Sequence, residues 1–227
     1  MATVVIMEGD ETGQELLAQA LRVLQPDVIG TQLEFLSFDL SLENRRRTSN
    51  RVVFEAAGAM RHYGVGLKAA TITPEGKHDV GSPNAILREE IDAQIILRTG
   101  RRIPGVRPVT GVVAPISVVR MAVDDAYGAK EWREGGGLDE IAYRTTRVRR
   151  SLCRIVAEFA FQYANRTNAK VFGGPKFTVS PIYEGLLKRR WTPRRPAIPR
   201  CRMIHSSSMP SMPCCCSPPA RPWSSRP

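Results

Sequence analysis

The chain has 227 residues, 42% of them hydrophobic, and a formal net charge of +11. That length holds one domain and part of a second, and no apolar run approaches the roughly 20 residues that would cross a bilayer. A charge this high would suggest nucleic acid, but residues 189–227 carry eight Arg and no Asp, Glu or Lys, so residues 1–188 keep 25 basic against 22 acidic groups, a net of +3 that argues for no particular partner.

Thr3–Met7 is a β-branched, apolar run that predicts a strand leaving into a turn at Gly9-Asp10-Glu11. Residues 13–24 follow as a helix, with Leu16, Leu17, Ala20, Leu21 and Leu24 on one stripe. Leu33–Phe38 predicts a second strand. Arg51–His62 predicts a helix that turns Val52, Val53, Ala56, Ala57 and Met60 inward. Val65–Ala70 and Ile95–Leu97 predict a third and a fourth strand. Strand alternating with helix is the pattern of an α/β layer with parallel pairing. Ile116–Val123 reads as another strand and Ile141–Val148 as a hairpin element. Ser151–Tyr163 is a helix with Leu152, Ile155, Val156, Phe159, Ala160 and Tyr163 on its apolar face. Lys170–Phe172 begins a last strand, which enters Gly173-Gly174-Pro175-Lys176.

No GxGxxG follows the first strand and no Walker loop is present, so a standard Rossmann site is not supported. No His pair at helical spacing suggests a metal centre. The polar residues gather instead at strand ends. Lys68-Ala69-Ala70-Thr71-Ile72-Thr73-Pro74 is one cluster. Gly81-Ser82-Pro83-Asn84 with Arg88 and Arg98 is a second. Arg120 with Tyr127, then Lys176 with Thr178, is a third. Ser82 before Pro83 is the pattern of a helix N-cap with proline at the first helical position, and a helix start with its amides free also suits an anion. Several arginines brought together would hold a multiply charged anion through bidentate forks.

Lys68-Ala-Ala-Thr-Ile-Thr-Pro-Glu, Ser82-Pro-Asn84-Ala-Ile-Leu-Arg88, Arg120 with Tyr127-Gly128, and Gly174-Pro-Lys176-Phe-Thr178 occur in that order after Gly9-Asp10-Glu11. Together they resemble the isocitrate/isopropylmalate dehydrogenase family, and within it the NADP-dependent isocitrate dehydrogenases, over roughly residues 1–188. The resemblance implies an α/β fold with an incomplete large domain, begun by residues 1–100, and part of a small domain over 101–188. It implies that Ser82, Asn84, Arg88, Arg98 and Arg120 hold the carboxylates of isocitrate. By the same resemblance Thr71 and Thr73 would lie against cofactor and substrate, with Asn84 also at the cofactor, and Tyr127 and Lys176 would form the acid/base pair. The implied cofactors are NADP and Mg²⁺ or Mn²⁺, in a cytoplasmic homodimer in which Lys176 serves the neighbouring subunit. Nucleic acid and membrane are not expected as partners. An isopropylmalate-type oxidative decarboxylase of 2-hydroxy acids is the alternative within the family; Ser82-Pro-Asn84 and the arginines favour a tricarboxylate. Two departures stand out. A family arginine after Thr-Ile-Thr-Pro is His78 here, and the family's metal-binding aspartates and most of its NADP contacts fall after the Lys176 strand, in the region occupied by residues 189–227, so no metal ligand is assigned.

Three readings compete for that region, which holds nine of the 17 Pro and four of the five Cys. As a disordered basic arm it would grip phosphates, which would make the chain a basic nucleic-acid-binding protein acting through residues 189–227, the alternative outside the family. As a metal site, Cys214, Cys215 and Cys216 with His205 lack the spacing of a tetrahedral centre. As out-of-frame coding it has a specific basis: Lys188-Arg189-Arg190-Trp191-Thr192-Pro193 can be written AAG AGG AGA TGG ACG CCG. One G restored after the first codon turns this into Lys-Glu-Glu-Met-Asp-Ala, a good helix continuation. The out-of-frame reading is the expectation carried forward. The single Cys153 of the body fits a reducing compartment.

Overall fold

A computed structural model describes residues 1–76, 79–107, 111–112, 114–173 and 177–191, with no side-chain description at 125–128, 190 and 191. Two compact units divide at Gln94 and Ile95.

In the first unit, β1 (Ala2–Glu8) lies between β2 (Leu33–Asp39) and β3 (Gly66–Lys68), and both pairings are parallel. The central place of β1 explains its unbroken apolar run, because both of its faces are covered. Val5 and Met7 point to one side and pack with Val52, Val53, Ala56 and Ala57 of α4 (Arg51–Tyr63) and with Leu87 of α5 (Pro83–Glu90). Val4 and Ile6 point to the other side and pack with Leu17 of α1 (Glu11–Val23) and with Ala69. Two short helices, α2 (Pro26–Ile29) and α3 (Leu42–Arg47), occupy the turns before and after β2. The fold is thus α/β with a parallel sheet, as the sequence leads one to expect. The stripe of α1 is narrower than expected: Leu17 is buried but Leu16 is exposed, since it sits about 100° around the helix from Leu17.

The second unit begins with β4 (Ile95–Gly100), antiparallel to β5 (Ile116–Met121). This corrects the expectation that Ile95–Leu97 adds a fourth strand to the parallel layer; an apolar run specifies a strand but not its partner. β6 (Asp125–Glu134) and β7 (Ile141–Arg147) form an antiparallel hairpin, with the rings of Trp132 and Tyr143 stacked across it at 5.0 Å. Helix α6 (Arg150–Thr167) buries Leu152, Cys153, Val156, Ala157, Ala160 and Ala164, and α7 (Tyr183–Trp191) follows. Lys170–Phe172 joins no described strand pairing; Val171 packs against Ala157 and Ala164 instead. The segment expected to be out of frame lies outside the described residues from residue 192 onward, while α7 continues through Arg189 to Trp191.

Close packing where β1 leaves the sheet has a measurable consequence. A Cβ added at Gly9 would lie 2.0 Å from the Ala70 carbonyl oxygen, a backbone atom that cannot yield as a side chain would. Gly9→Ala is expected to lower stability by about 1–3 kcal/mol, the usual range for overpacking. Gly58→Ala, in the middle of α4 with nothing within 4 Å of its new methyl, is expected to raise stability by about 0.5–1 kcal/mol. Urea midpoints at unchanged m-value would show the two opposite shifts.

Candidate functional site

At the carboxyl ends of β1 and β3, three chain segments meet around one acid. The Asp10 carboxylate accepts hydrogen bonds from the Leu42 amide and from the Ile72 amide, each at 2.8 Å, and the Asp10 amide donates to the Ala70 carbonyl at 3.1 Å. In an open parallel sheet this rim is where ligands bind. Lys68, the last residue of β3, donates from Nζ to the Ala69 carbonyl at 2.8 Å and to Thr71 Oγ1 at 3.0 Å. Burial, followed by repulsion from Arg45, pushes its pKa down to about 8; Asp10 opposes the shift and Arg88 adds to it. The Lys68 ammonium is therefore within electrostatic reach of Arg88, and the two cations with the Thr71 hydroxyl form a half-buried group suited to an anion.

α5 starts at this rim. Ser82 is its N-cap in extended conformation, Pro83 takes the first helical position, and the Ser82 hydroxyl makes no capping hydrogen bond. Asn84 and Arg88 are four residues apart and so share a helix face. Ser82, Asn84, Arg88 and Thr71 are half-buried, while Thr73 is exposed.

The second unit contributes a pair of arginines. Arg98 pairs with Val118 and Ile96 with Arg120, so Arg98 and Arg120 are diagonal neighbours on one face of the β4–β5 ribbon. That face is open: Arg98, Val118 and Arg120 are exposed. On the opposite face, Thr99 and Ser117 meet the Tyr163 hydroxyl of α6 at 3.4 Å each. The end of β5 is pinned by the buried Asp124, which accepts from the Arg149 amide at 3.2 Å and from its Nε at 2.8 Å.

The profile of the isocitrate/isopropylmalate dehydrogenases matches residues 3–197. The chain belongs to that family. Among curated relatives, the isocitrate dehydrogenase [NADP] of Sphingobium yanoikuyae is 33% identical over 142 residues, covering 59% of this chain and 34% of its own. The mitochondrial isocitrate dehydrogenase [NADP] of Aspergillus niger is 28% identical over 220 residues, covering 82% of this chain and 43% of its own. That of Rattus norvegicus is 28% identical over 222 residues, with coverages of 82% and 47%. The chain therefore spans between a third and a half of the length of these relatives.

Among the residues that the family resemblance singles out, Thr71, Ser82, Asn84 and Arg88 come to the carboxyl-end rim of the first unit, with Thr73 next to it in the chain. Arg98 and Arg120 come together in the second unit. Lys176 and His78 lie outside the described residues; Tyr127 belongs to β6, but its side chain is outside the description. The resemblance assigns no ligand role to the rim residues Asp10 and Arg45. Arg45 sits in a run of three arginines, which reads as a solvated charge cluster, and no spacing rule distinguishes its buried guanidinium from its neighbours.

Among the described residues no group of three or more His, Cys, Asp or Glu is placed to hold a metal ion, so the implied Mg²⁺ or Mn²⁺ has no donor set here. The donors at the rim, the Lys68 ammonium, the Thr71 hydroxyl and the Asn84 amide, suit an anionic group. Also among the described residues, no helix is long and apolar enough to cross a membrane.

Proposed function

We propose that this chain carries the substrate-binding residues of an NADP-dependent isocitrate dehydrogenase, an oxidative decarboxylase of a 2-hydroxy tricarboxylate. The supporting observation is the Arg98–Arg120 pair on one open face of the β4–β5 ribbon. Two guanidinium forks side by side match the two carboxylates that isocitrate shares with the isopropyl alternative, and the preference for a third carboxylate rests on the family resemblance at Ser82-Pro83-Asn84 and Arg88. Within the first unit, Ser82, Asn84 and Arg88 supply a hydroxyl, an amide and a guanidinium, the groups that the family resemblance assigns to carboxylate oxygens. Thr71, Thr73 and Asn84 would contact NADP, which when bound supplies the hydride acceptor.

In this reading Lys176 takes the proton of the C2 hydroxyl as hydride leaves, and Tyr127 returns a proton at C3 after carbon dioxide departs. The residues described in the first unit bind and orient the acid; they do not move its protons. Family expectation adds a homodimer. The divalent cation has no assigned residues, and no step is routed through it.

Lys68 gives this reading a pH dependence. Its ammonium is charged below about pH 8 and neutral above it, so the attraction it offers an anion is present at pH 7 and lost at pH 9. Isocitrate titrated calorimetrically into the 227-residue protein is expected to bind progressively more weakly as pH rises through about 8. Lys68→Met should bind more weakly at pH 7 and show a flat profile across the same window. A wild-type affinity independent of pH between 7 and 9 would remove Lys68 from the anion's surroundings.

A further inference from the structure

Arg45 has no exposed surface, yet its side chain reaches three separate segments of the first unit. Nε donates to the Leu40 carbonyl at 3.0 Å, Nη1 to the Gly81 carbonyl at 3.0 Å, and Nη2 to the Ile72 carbonyl. The Ile72 peptide is thereby held from both sides, because its amide donates to Asp10 while its carbonyl accepts from Arg45. Thr71 and Thr73 flank that clamped residue.

The approach to Ser82 is held by the same stretch of chain. Arg46 grips the Asp79 carboxylate through Nε and Nη2, Asn50 Nδ2 donates to the Val80 carbonyl at 2.7 Å, and Arg45 takes the Gly81 carbonyl. Three consecutive residues before the α5 cap are thus fixed by residues 45–50. The brace is held at a cost in backbone conformation: Ser49 and Asn50 both adopt positive φ, at 49° and 63°. A buried guanidinium without a carboxylate in direct contact is also costly. A surface turn needs neither feature, so the expense points to a constraint that the rim imposes.

We propose that Arg45 is a positioning residue, one that locks the Thr71–Thr73 loop and the Ser82 end of α5 into a single frame so that ligand affinity depends on a side chain that touches no ligand. This rests on the reading of Thr71, Thr73 and Ser82 as ligand contacts given above. A lysine at the same place keeps the charge but cannot span three carbonyls, since it offers a point charge where arginine offers a rigid fork.

The test compares wild type with Arg45→Lys in the 227-residue protein by two readouts. In amide exchange followed by NMR, Ile72 and Ala85 (whose amide bonds the Ser82 carbonyl) are expected to exchange at least about tenfold faster, while the core amides Ile6 and Ala57 stay within about twofold. In isocitrate titration, Kd is expected to rise at least about tenfold, as small displacements of binding groups commonly produce. Unchanged exchange and affinity would overturn the proposal, and so would equal acceleration at Ile6 and Ala57, which would make Arg45 a general structural residue. If Arg45→Lys does not fold, Asp10→Asn loosens the same peptide from its other side. Faster Ile72 exchange with weaker binding in that variant supports the proposal, and wild-type behaviour overturns it. Should wild-type protein fail to bind isocitrate, the proposed function falls, and the exchange readout alone decides the role of Arg45.

Discussion

Replacing Arg120 with alanine is expected to weaken isocitrate binding by about 2–3 kcal/mol, or roughly 30- to 150-fold. The magnitude follows from the kind of contact. A guanidinium facing a carboxylate makes a charge-assisted and bidentate interaction, the strongest class of hydrogen bond a side chain offers. Arg120 lies beside Arg98 on the same ribbon face, so its loss also leaves a single fork where there were two. Arg120→Lys should recover part of the charge but not the fork, and is expected to fall between wild type and alanine. The ribbon itself should survive the change, because Arg120 is on the exposed face and the packing against α6 belongs to the other. A thermal midpoint near the wild-type value together with the large loss in Kd would therefore separate a ligand contact from a structural one.

The second large effect concerns turnover. The 227-residue polypeptide assayed by itself is expected to form no measurable NADPH from isocitrate, with or without Mn²⁺. Its described residues offer no set of metal-binding side chains, and it spans 34% to 47% of the relatives whose names record the activity. Among the described residues, the pairing of β1 with β2 and β3 leaves both β2 and β3 as edges of a three-stranded parallel sheet. Such edges invite intermolecular pairing, which would compete with assembly of a working site. The informative comparison is a polypeptide read after restoring one base past codon 188. That polypeptide is expected to turn over, and the 227-residue chain to remain below about a hundredth of its rate, a gap of roughly 3 kcal/mol in barrier. Turnover by the shorter chain above that level would mean that the essential residues have been misassigned.

How far the sequence could be read depended on whether a feature is local. The 3.6-residue spacing of Val52, Val53, Ala56 and Ala57 identifies the buried face of α4 because helix faces are set by local geometry. The Ser82-Pro83 start of α5 is legible for the same reason, as a cap and a first-turn proline are chemical features of adjacent residues. β4 was legible as a strand and illegible in its pairing, because the partner Ile116–Met121 is chosen by tertiary packing rather than by the run itself. Val171 shows the converse case: an apolar residue in an extended-looking run that fills a gap against α6 without joining a sheet.

At the site, the residues carried by motifs were found and those carried by packing were not. Ser82, Asn84, Arg88 and Arg120 sit in recognisable strings. Arg45 sits in Asn44-Arg45-Arg46-Arg47, where the three arginines look alike until the fold buries one of them completely and leaves Arg46 largely in solvent. Asp10 was legible as part of the turn after β1, but its two hydrogen-bond partners are 32 and 62 residues away and no local pattern reports them.

The measurement that bears most directly on the central reading is calorimetric titration of the 227-residue protein at pH 7 with isocitrate and, separately, with 3-isopropylmalate. The account predicts saturable binding of isocitrate that is stronger than binding of 3-isopropylmalate and largely lost in Arg120→Ala. No binding of isocitrate, equal binding of the two acids, or an unchanged curve in Arg120→Ala would contradict it.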